Sequence, residues 1–239
     1  GQEFAGVMRD LMAKGERQEL AGTESHEATD ASTAALQTMS LGNQFSVITA
    51  VSPLPDPNSL AEFARAVAAG EGAPRWSMRV LNAVADPRER RLLEAVGDCL
   101  AGLRGLPVAE AALVREVVAT IIEGQRLDLQ RFASAGALVP VALKNDAELE
   151  DYAWRVAGCV GEFWTKLGYL TMGERFSSSD ENEMIRLGVN YGKGLQLINI
   201  LRDLPADLAQ GRCYLPVENP ADRDQLMACH RRWIERLDP

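Results

Sequence analysis

The sequence predicts an all-α fold, and three observations support this class. From Leu60 onward, apolar residues recur three and four positions apart, which is the spacing of one helix face. Capping residues, prolines and glycines divide this part into segments of helical length, and no segment alternates apolar with polar residues as a strand does. With 46% hydrophobic and 25% charged residues among 239, the chain has the composition of a folded globular protein.

The N-terminal part carries much less information. Residues 1–59 show little apolar periodicity, so the sequence predicts no stable element there and one helical domain over residues 60–239. Pro53, Pro55 and Pro57 lie within eight residues and predict a loop, because proline disfavours the helix interior and restricts the residue before it. Ser59 follows as the predicted N-cap of the first helix.

Start and stop signals place the remaining helices. Asp86 and Pro87 combine a capping side chain with a proline at the first helical position, and Gly105 ends that helix. Leu106 and Pro107 open a long helix in the same way. The predicted helices span about residues 60–69, 77–84, 87–103, 107–132, 145–170, 179–204 and 221–237.

Charge and side-chain inventory exclude several function classes. The 25 Lys and Arg against 34 Asp and Glu give a net charge of -9, which argues against a nucleic-acid binder. The four cysteines form no CxxC pair and are expected to be reduced core thiols. Two histidines are too few for a His-based metal cage, so any metal must be held by carboxylates. Without a signal peptide or an apolar run of membrane-spanning length, the chain is predicted to be cytoplasmic, with peripheral membrane contact left open.

One acidic pair carries the chemistry. Asp203 and Asp207 lie four residues apart, so a helix places both carboxylates on one face, which Asn199 and Gln196 extend. Apolar neighbours predict that this helix is buried with its polar face inward, and such a pair suits Mg²⁺ together with substrate phosphate oxygens. A solvent-exposed pair near a helix end is the alternative, and Pro205 is expected to kink or end the helix between the two aspartates.

Three segments together resemble one known family. The spacing Gln196-x-x-Asn199-x-x-x-Asp203-x-x-x-Asp207, followed by GRCYLP at residues 211–216, resembles the second aspartate-rich motif of the squalene/phytoene synthases. The segments WRVAGCVGE at 154–162 and EGQRLDL at 123–129 resemble two further motifs of that family. The resemblance extends from about residue 60 to residue 216.

This resemblance implies an isoprenoid-synthase-like helical bundle around a central apolar cavity. It also implies Mg²⁺-dependent head-to-head condensation of two farnesyl or geranylgeranyl diphosphates with release of diphosphate, and use of NADPH only if the product is squalene. The implied metal ligands are Asp203, Asp207 and Asn199. The implied catalytic residues are Asp203, Asp207 and Tyr214, and the implied substrate-binding residues are Gln196, Asn199, Arg212, Gln125 and Asp128.

The chain departs from the family pattern in one respect. Members carry a first DxxxD motif, expected here within residues 44–51, yet residues 45–51 contain no carboxylate. The chain is therefore expected to be atypical or truncated at both ends. Three alternatives stand: a prenyltransferase, a non-catalytic relative that binds a prenyl ligand or a protein partner, or a plain helical interaction module. Product identity and oligomeric state are left open.

Overall fold

The computed structural model of the chain describes residues 56–69, 76, 78–85 and 87–237. The predictions for residues 1–55, including the missing first motif, lie outside this part. The described residues fall into two compact units, one with residues 56–118 and 166–180 and the other with residues 119–165 and 181–237.

The first unit is made of helices. They are α1 (Pro57–Ala69), α2 (Met78–Ala83), α3 (Pro87–Glu94), α4 (Val96–Arg104) and the start of α5 (Val108–Arg131). Asp56, and not Ser59, caps α1, because its Oδ1 accepts hydrogen bonds of 2.9 Å from the backbone N–H groups of Asn58 and Ser59. Pro57 therefore occupies the first turn of a helix and is not part of the loop. The single helix predicted over residues 87–103 is divided at Ala95 into α3 and α4.

Buried aliphatic side chains form the interior of the first unit. Two side-chain hydrogen bonds to backbone carbonyls join its segments, from Trp76 Nε1 to Leu93 at 2.8 Å and from Arg115 Nε to Val67 at 3.3 Å. Both donors satisfy carbonyl groups that would otherwise lose their bonds to water. The most deeply buried residues of α1, α3, α4 and α5 in this unit include Leu60, Phe63, Leu93, Val96, Leu100, Leu103, Val114 and Val118.

The second unit is helical around one very short sheet. After α5 come β1 (Val141–Ala142), α6 (Asp146–Ala153), a π-turn (Trp154–Gly158), α7 (Cys159–Met172), α8 (Glu181–Ala209), β2 (Arg212–Cys213) and α9 (Arg223–Leu237). From residue 166 onward, α7 belongs to the first unit. β1 and β2 pair in parallel, Val141 with Arg212 and Ala142 with Cys213. Asn145 caps α6, since its Oδ1 accepts from the Glu148 N–H at 2.9 Å, and the predicted helix start near residue 145 is confirmed. The predicted helix over residues 145–170 corresponds to α6, the π-turn and α7.

Helix α8 runs through Pro205, so the prediction that this proline could end the helix is wrong. Proline has no N–H to donate to the carbonyl of Leu201 four residues earlier. His230 on α9 approaches that carbonyl with Nε2 at 3.2 Å. Because a carbonyl only accepts, Nε2 must be the donor, and the carbonyl that the proline leaves free is satisfied from a neighbouring helix.

Glycines let α7 approach α8 closely. A Cβ on Gly161 would overlap the backbone of Gly188, and a Cβ on Gly192 would overlap the backbone of Ala157. The lack of a side chain at Gly161 and Gly192 therefore makes this close approach possible. This crossing fixes the position of α8, the helix that carries Asp203 and Asp207.

One apolar cluster holds the second unit together. It includes Phe132, Leu143, Leu149, Leu197, Ile200, Leu204, Leu215, Leu226 and Trp233. All four cysteines are buried and free, as predicted. Within the part of the chain that the structure describes, no helix is both long and apolar enough to cross a bilayer.

Candidate functional site

The acidic pair lies near the end of α8, and its first member is not buried. The side chain of Asp203 is 45% exposed and is held by the neighbouring Arg202, whose Nε and Nη2 donate to Oδ1 and Oδ2 at 2.7 and 2.6 Å. This hydrogen bonding lowers the pKa of Asp203. The expectation of a fully inward polar face is therefore wrong at Asp203. Gln196, Asn199 and Asp207 are half-buried.

Asp207 has a different electrostatic environment from Asp203. Burial raises its pKa first, and the negative charge of Asp203 raises it further, while the positive charge of Arg212 opposes both effects. The two carboxylates thus repel each other, as expected at a spacing of four residues. An added cation would relieve this repulsion.

The carboxylate that is buried is Asp128, on the last turns of α5. It is only 5% exposed. Its Oδ2 accepts the hydroxyl hydrogen of Tyr214 at 2.9 Å and lies 3.6 Å from Nη1 of Arg212. Its Oδ1 is buried and has no hydrogen-bond partner among the residues that the structure describes. Burial raises the pKa of Asp128, against the lowering effects of Tyr214 and Arg212.

Tyr152 is a member of this cluster that the sequence analysis did not identify. Its ring stacks on that of Tyr214 with centroids 4.5 Å apart, and Phe132 meets the ring of Tyr214 edge-on at 5.1 Å. Burial, and then the charge of Asp128, raise the pKa of Tyr152, so its phenol stays neutral. The only sequence signal is its position two residues before Trp154, at the start of the WRVAGCVGE segment.

A tight reversal after α8 brings these groups together. Gly211 has φ +82°, a left-handed conformation that favours glycine, and a Cβ there would overlap the backbone of Gly136. The reversal sets β2 beside β1, so that Arg212 and Tyr214 come to Asp128, which is more than 80 residues away in sequence. Arg212 keeps a side chain that is 38% exposed and is able to meet a solvent-borne anion.

A known protein family matches most of the chain. The sequence profile of the squalene/phytoene synthase family matches residues 56–226. The chain belongs to the squalene/phytoene synthase family. The match includes α8, β2 and every residue of the cluster around Asp128.

Individual relatives are similar over shorter stretches. Presqualene diphosphate synthases of Zymomonas mobilis and Rhodopseudomonas palustris are 36% and 31% identical to this chain over 112 and 156 residues, which is 47% and 59% of its length. A phytoene synthase of Thermus thermophilus is 36% identical over 81 residues, 34% of this chain and 25% of that protein. The alignments cover 33% and 50% of the two presqualene diphosphate synthases, so the chain spans a third to a half of their length.

A solved complex of TcSQS with a bound ligand has a similar fold. The TM-score is 0.61 at 16% sequence identity, over 99% of this chain and 67% of that chain. The likeness confirms the predicted isoprenoid-synthase-like, all-α fold.

The structure brings some of the sequence-predicted site residues together and leaves others apart. Asp128, Arg212 and Tyr214 are in contact, and Asp207 interacts with Arg212 through charge. Asp203 is paired with Arg202, which did not feature in the sequence prediction. Half-buried amide side chains on α5 and α8 complete the predicted set: Gln125, Gln196 and Asn199.

The acidic residues of the site suit a metal ion that needs few protein ligands. Among the described residues, no three His, Cys, Asp or Glu side chains are close enough to hold a metal ion. Mg²⁺ usually takes one or two carboxylates and completes its shell with water and substrate phosphate oxygens. The half-buried Asp207 beside the charge of Asp203 is compatible with this mode of Mg²⁺ binding.

Proposed function

We propose that this chain forms the diphosphate-binding part of a Mg²⁺-dependent prenyl synthase of the head-to-head type. The observation that carries the proposal is the position of Arg212. Its guanidinium lies against the buried Asp128 and interacts with Asp207, while more than a third of its side chain remains exposed. A cation beside two metal-binding carboxylates matches the charge pattern of a metal-bound diphosphate.

Each group has a distinct role in this proposal. Asp203 and Asp207, with the amide of Asn199, would hold Mg²⁺, and the ion would supply positive charge to the leaving diphosphate. Arg212 binds diphosphate oxygens directly.

Asp128 and Tyr214 act as positioning residues. The Tyr214 hydroxyl keeps its proton and donates a hydrogen bond to Asp128, and the carboxylate orients the guanidinium of Arg212. In the same proposal, Gln125 and Gln196 line the substrate side of the site.

The substrates are farnesyl or geranylgeranyl diphosphate. The test is to incubate the full chain with each diphosphate and Mg²⁺ and to measure diphosphate release. Asp207→Asn removes one ligand charge without changing size, and we expect release to fall at least about 100-fold, since a catalytic metal contributes several kcal/mol of charge stabilisation. Glu218→Gln, at an exposed position of the same unit, is the matched control and should leave the rate unchanged. Equal rates for Asp207→Asn and the unchanged chain would refute the proposed ligand role.

A second candidate rests on a specific observation of the sequence. Residues 45–51 contain no carboxylate where the family carries its first acidic motif. In this alternative, the chain binds a prenyl diphosphate without turning it over. Calorimetric titration with farnesyl thiodiphosphate, which resists cleavage, separates the two candidates. Saturable Mg²⁺-dependent binding with no diphosphate release from the natural substrate supports the second candidate, and the absence of both binding and release contradicts both.

A further inference from the structure

An uncharged stretch of the second unit ends in a strongly exposed apolar turn. Residues 132–143 (FASAGALVPVAL) contain no charged side chain and lie between Arg131 and Lys144. At its tip, Leu138 is 96% exposed and Val139 is 67% exposed. We call these two residues the apolar tip. Single exposed aliphatic residues are ordinary, but two adjacent ones in an uncharged turn need a physical reason.

The apolar tip is held on a well-anchored turn. The Val139 N–H donates to the Gly136 carbonyl at 2.9 Å, and the Gly136 N–H donates back to the Val139 carbonyl at 3.2 Å. Both ends of the stretch are fixed in the core, because Phe132 and Leu143 are buried in the apolar cluster. The close approach of Gly211 to Gly136 ties the turn to the chain reversal that carries Arg212. The tip is therefore presented by the fold and does not belong to a free chain end.

The chemistry of this turn matches a lipid surface. The N–H and carbonyl groups of Gly136 and Val139 pair with each other and Pro140 has no N–H, so these three residues bring no unpaired N–H into an apolar phase. Two side chains are far too small for a protein interface, which needs about 800 Å² from each partner. A bilayer has no such minimum, since each aliphatic side chain that leaves water contributes separately.

We propose that the apolar tip, Leu138 and Val139, inserts into the surface of a phospholipid bilayer and anchors the chain there. The driving force is apolar, because the chain is acidic overall and the stretch itself is uncharged. The contact would hold the Arg212 end of the second unit next to the membrane, where lipid-like substrates reside. The inference goes beyond the proposed function and does not depend on it.

The experiment uses the full chain and vesicles of phosphatidylcholine alone, without substrate or Mg²⁺. We expect vesicle co-sedimentation, and we expect Leu138→Ser and Val139→Ser each to weaken it by about tenfold, the size of effect for an aliphatic side chain leaving an apolar phase. Val108→Ser is the matched control, since Val108 is 87% exposed but lies in the first unit, at the start of α5. Added salt should leave binding unchanged.

A fluorescence measurement locates the contact independently. Because all four natural cysteines are buried, an environment-sensitive dye attached to Leu138→Cys reports on the tip alone. We expect a blue shift when vesicles are added, and none for the same dye on Val108→Cys.

Three outcomes would overturn the inference. The first is a lack of vesicle binding by the unchanged chain, and the second is binding that survives both serine substitutions. The third is a change in the light-scattering mass of the serine variants, because the tip would then be a contact between copies of the chain. Vesicle binding without diphosphate release would contradict the proposed catalytic function but not the anchor. Release from detergent-dispersed substrate without vesicle binding would contradict the anchor alone.

Discussion

Removal of one oxygen atom, by Tyr214→Phe, tests how the buried Asp128 is held. The hydroxyl donates to Oδ2 of Asp128 at 2.9 Å, inside the core of the second unit. The substitution keeps the ring and therefore its stacking on Tyr152. It removes the hydrogen bond to Asp128, whose other oxygen, Oδ1, has no hydrogen-bond partner among the described residues. It also removes the interaction of this hydroxyl with Tyr152 and Arg212.

The magnitude follows from the burial of the acceptor. A hydrogen bond to a charged group contributes about 1.5–3 kcal/mol, and water cannot readily replace the lost donor at a carboxylate that is 5% exposed. After the substitution, Arg212, which lies 3.6 Å from Oδ2, and Arg131 remain as the positively charged neighbours of Asp128. We therefore expect the free energy of unfolding to fall by about 1.5–3 kcal/mol.

The assay is urea unfolding of the full chain, followed by circular dichroism, with a tyrosine of the first unit as control. Tyr169 donates to the neutral backbone carbonyl of Ser179 at 2.7 Å, so Tyr169→Phe should cost only about 0.5–1.5 kcal/mol. The reasoning is refuted if Tyr214→Phe lowers the free energy of unfolding by no more than Tyr169→Phe does. The hydrogen bond to a charged acceptor would then contribute no more than the one to a neutral acceptor.

The pH dependence of stability tests whether the fold raises the pKa of Asp128. The folded state raises the pKa of Asp128 above its ordinary value of 3.8. At pH values between 3.8 and this raised pKa, the folded state therefore binds more protons than the unfolded state. Stability from this group is therefore full below pH 3.8 and is lost as the pH rises through the folded pKa. Asp128→Asn removes the titration, so the stability of the unchanged chain minus that of the variant should decrease with rising pH. An increase over this window would mean that the fold lowers this pKa.

Two further substitutions test how α8 is built. His230→Ala removes the donor to the carbonyl that Pro205 leaves free, and we expect the free energy of unfolding to fall by about 0.5–1.5 kcal/mol. The loss should be smaller in a Pro205→Ala background, where residue 205 has a backbone N–H to donate. An unchanged loss in that background would contradict the role of His230 as the donor. Gly161→Ala should lower the free energy of unfolding by at least about 1–3 kcal/mol, because the added Cβ would overlap the backbone of Gly188. Gly194→Ala is the control, and it should be neutral or stabilising because the space around Gly194 is open. Equal urea midpoints for the two variants would contradict a tight helix crossing.

Most of the helical order could be predicted from local signals. Asn145 caps α6 as its sequence position indicated, and Gly105 lies just after α4. At Pro205 an atom distant in sequence satisfied the backbone, and nothing near this proline indicates that a histidine on α9 would supply the missing donor. The cap of α1 was a local misreading, since Asp56 and Pro57 carry the same start signal as Asp86 and Pro87.

The candidate site was predicted as residue types but not as an arrangement. The motif identified Asp203 and Asp207, yet it did not predict that Arg202 would hold Asp203 in solvent. It also identified Asp128 and Tyr214, but not that the two would share a hydrogen bond or that Tyr152 would stack beside them. These relations depend on chain reversal at Gly211, which periodicity does not encode.

By itself, the sequence determined the helical class, the family and the acid pair on α8, because helical periodicity, caps and a motif of fixed spacing are all properties of neighbouring residues. Only the tertiary structure decided that the buried carboxylate is Asp128 and that Leu138 is almost fully exposed to solvent at the end of a turn. Burial and exposure depend on which distant segments pack together, and a residue's neighbours along the chain do not specify its neighbours in space.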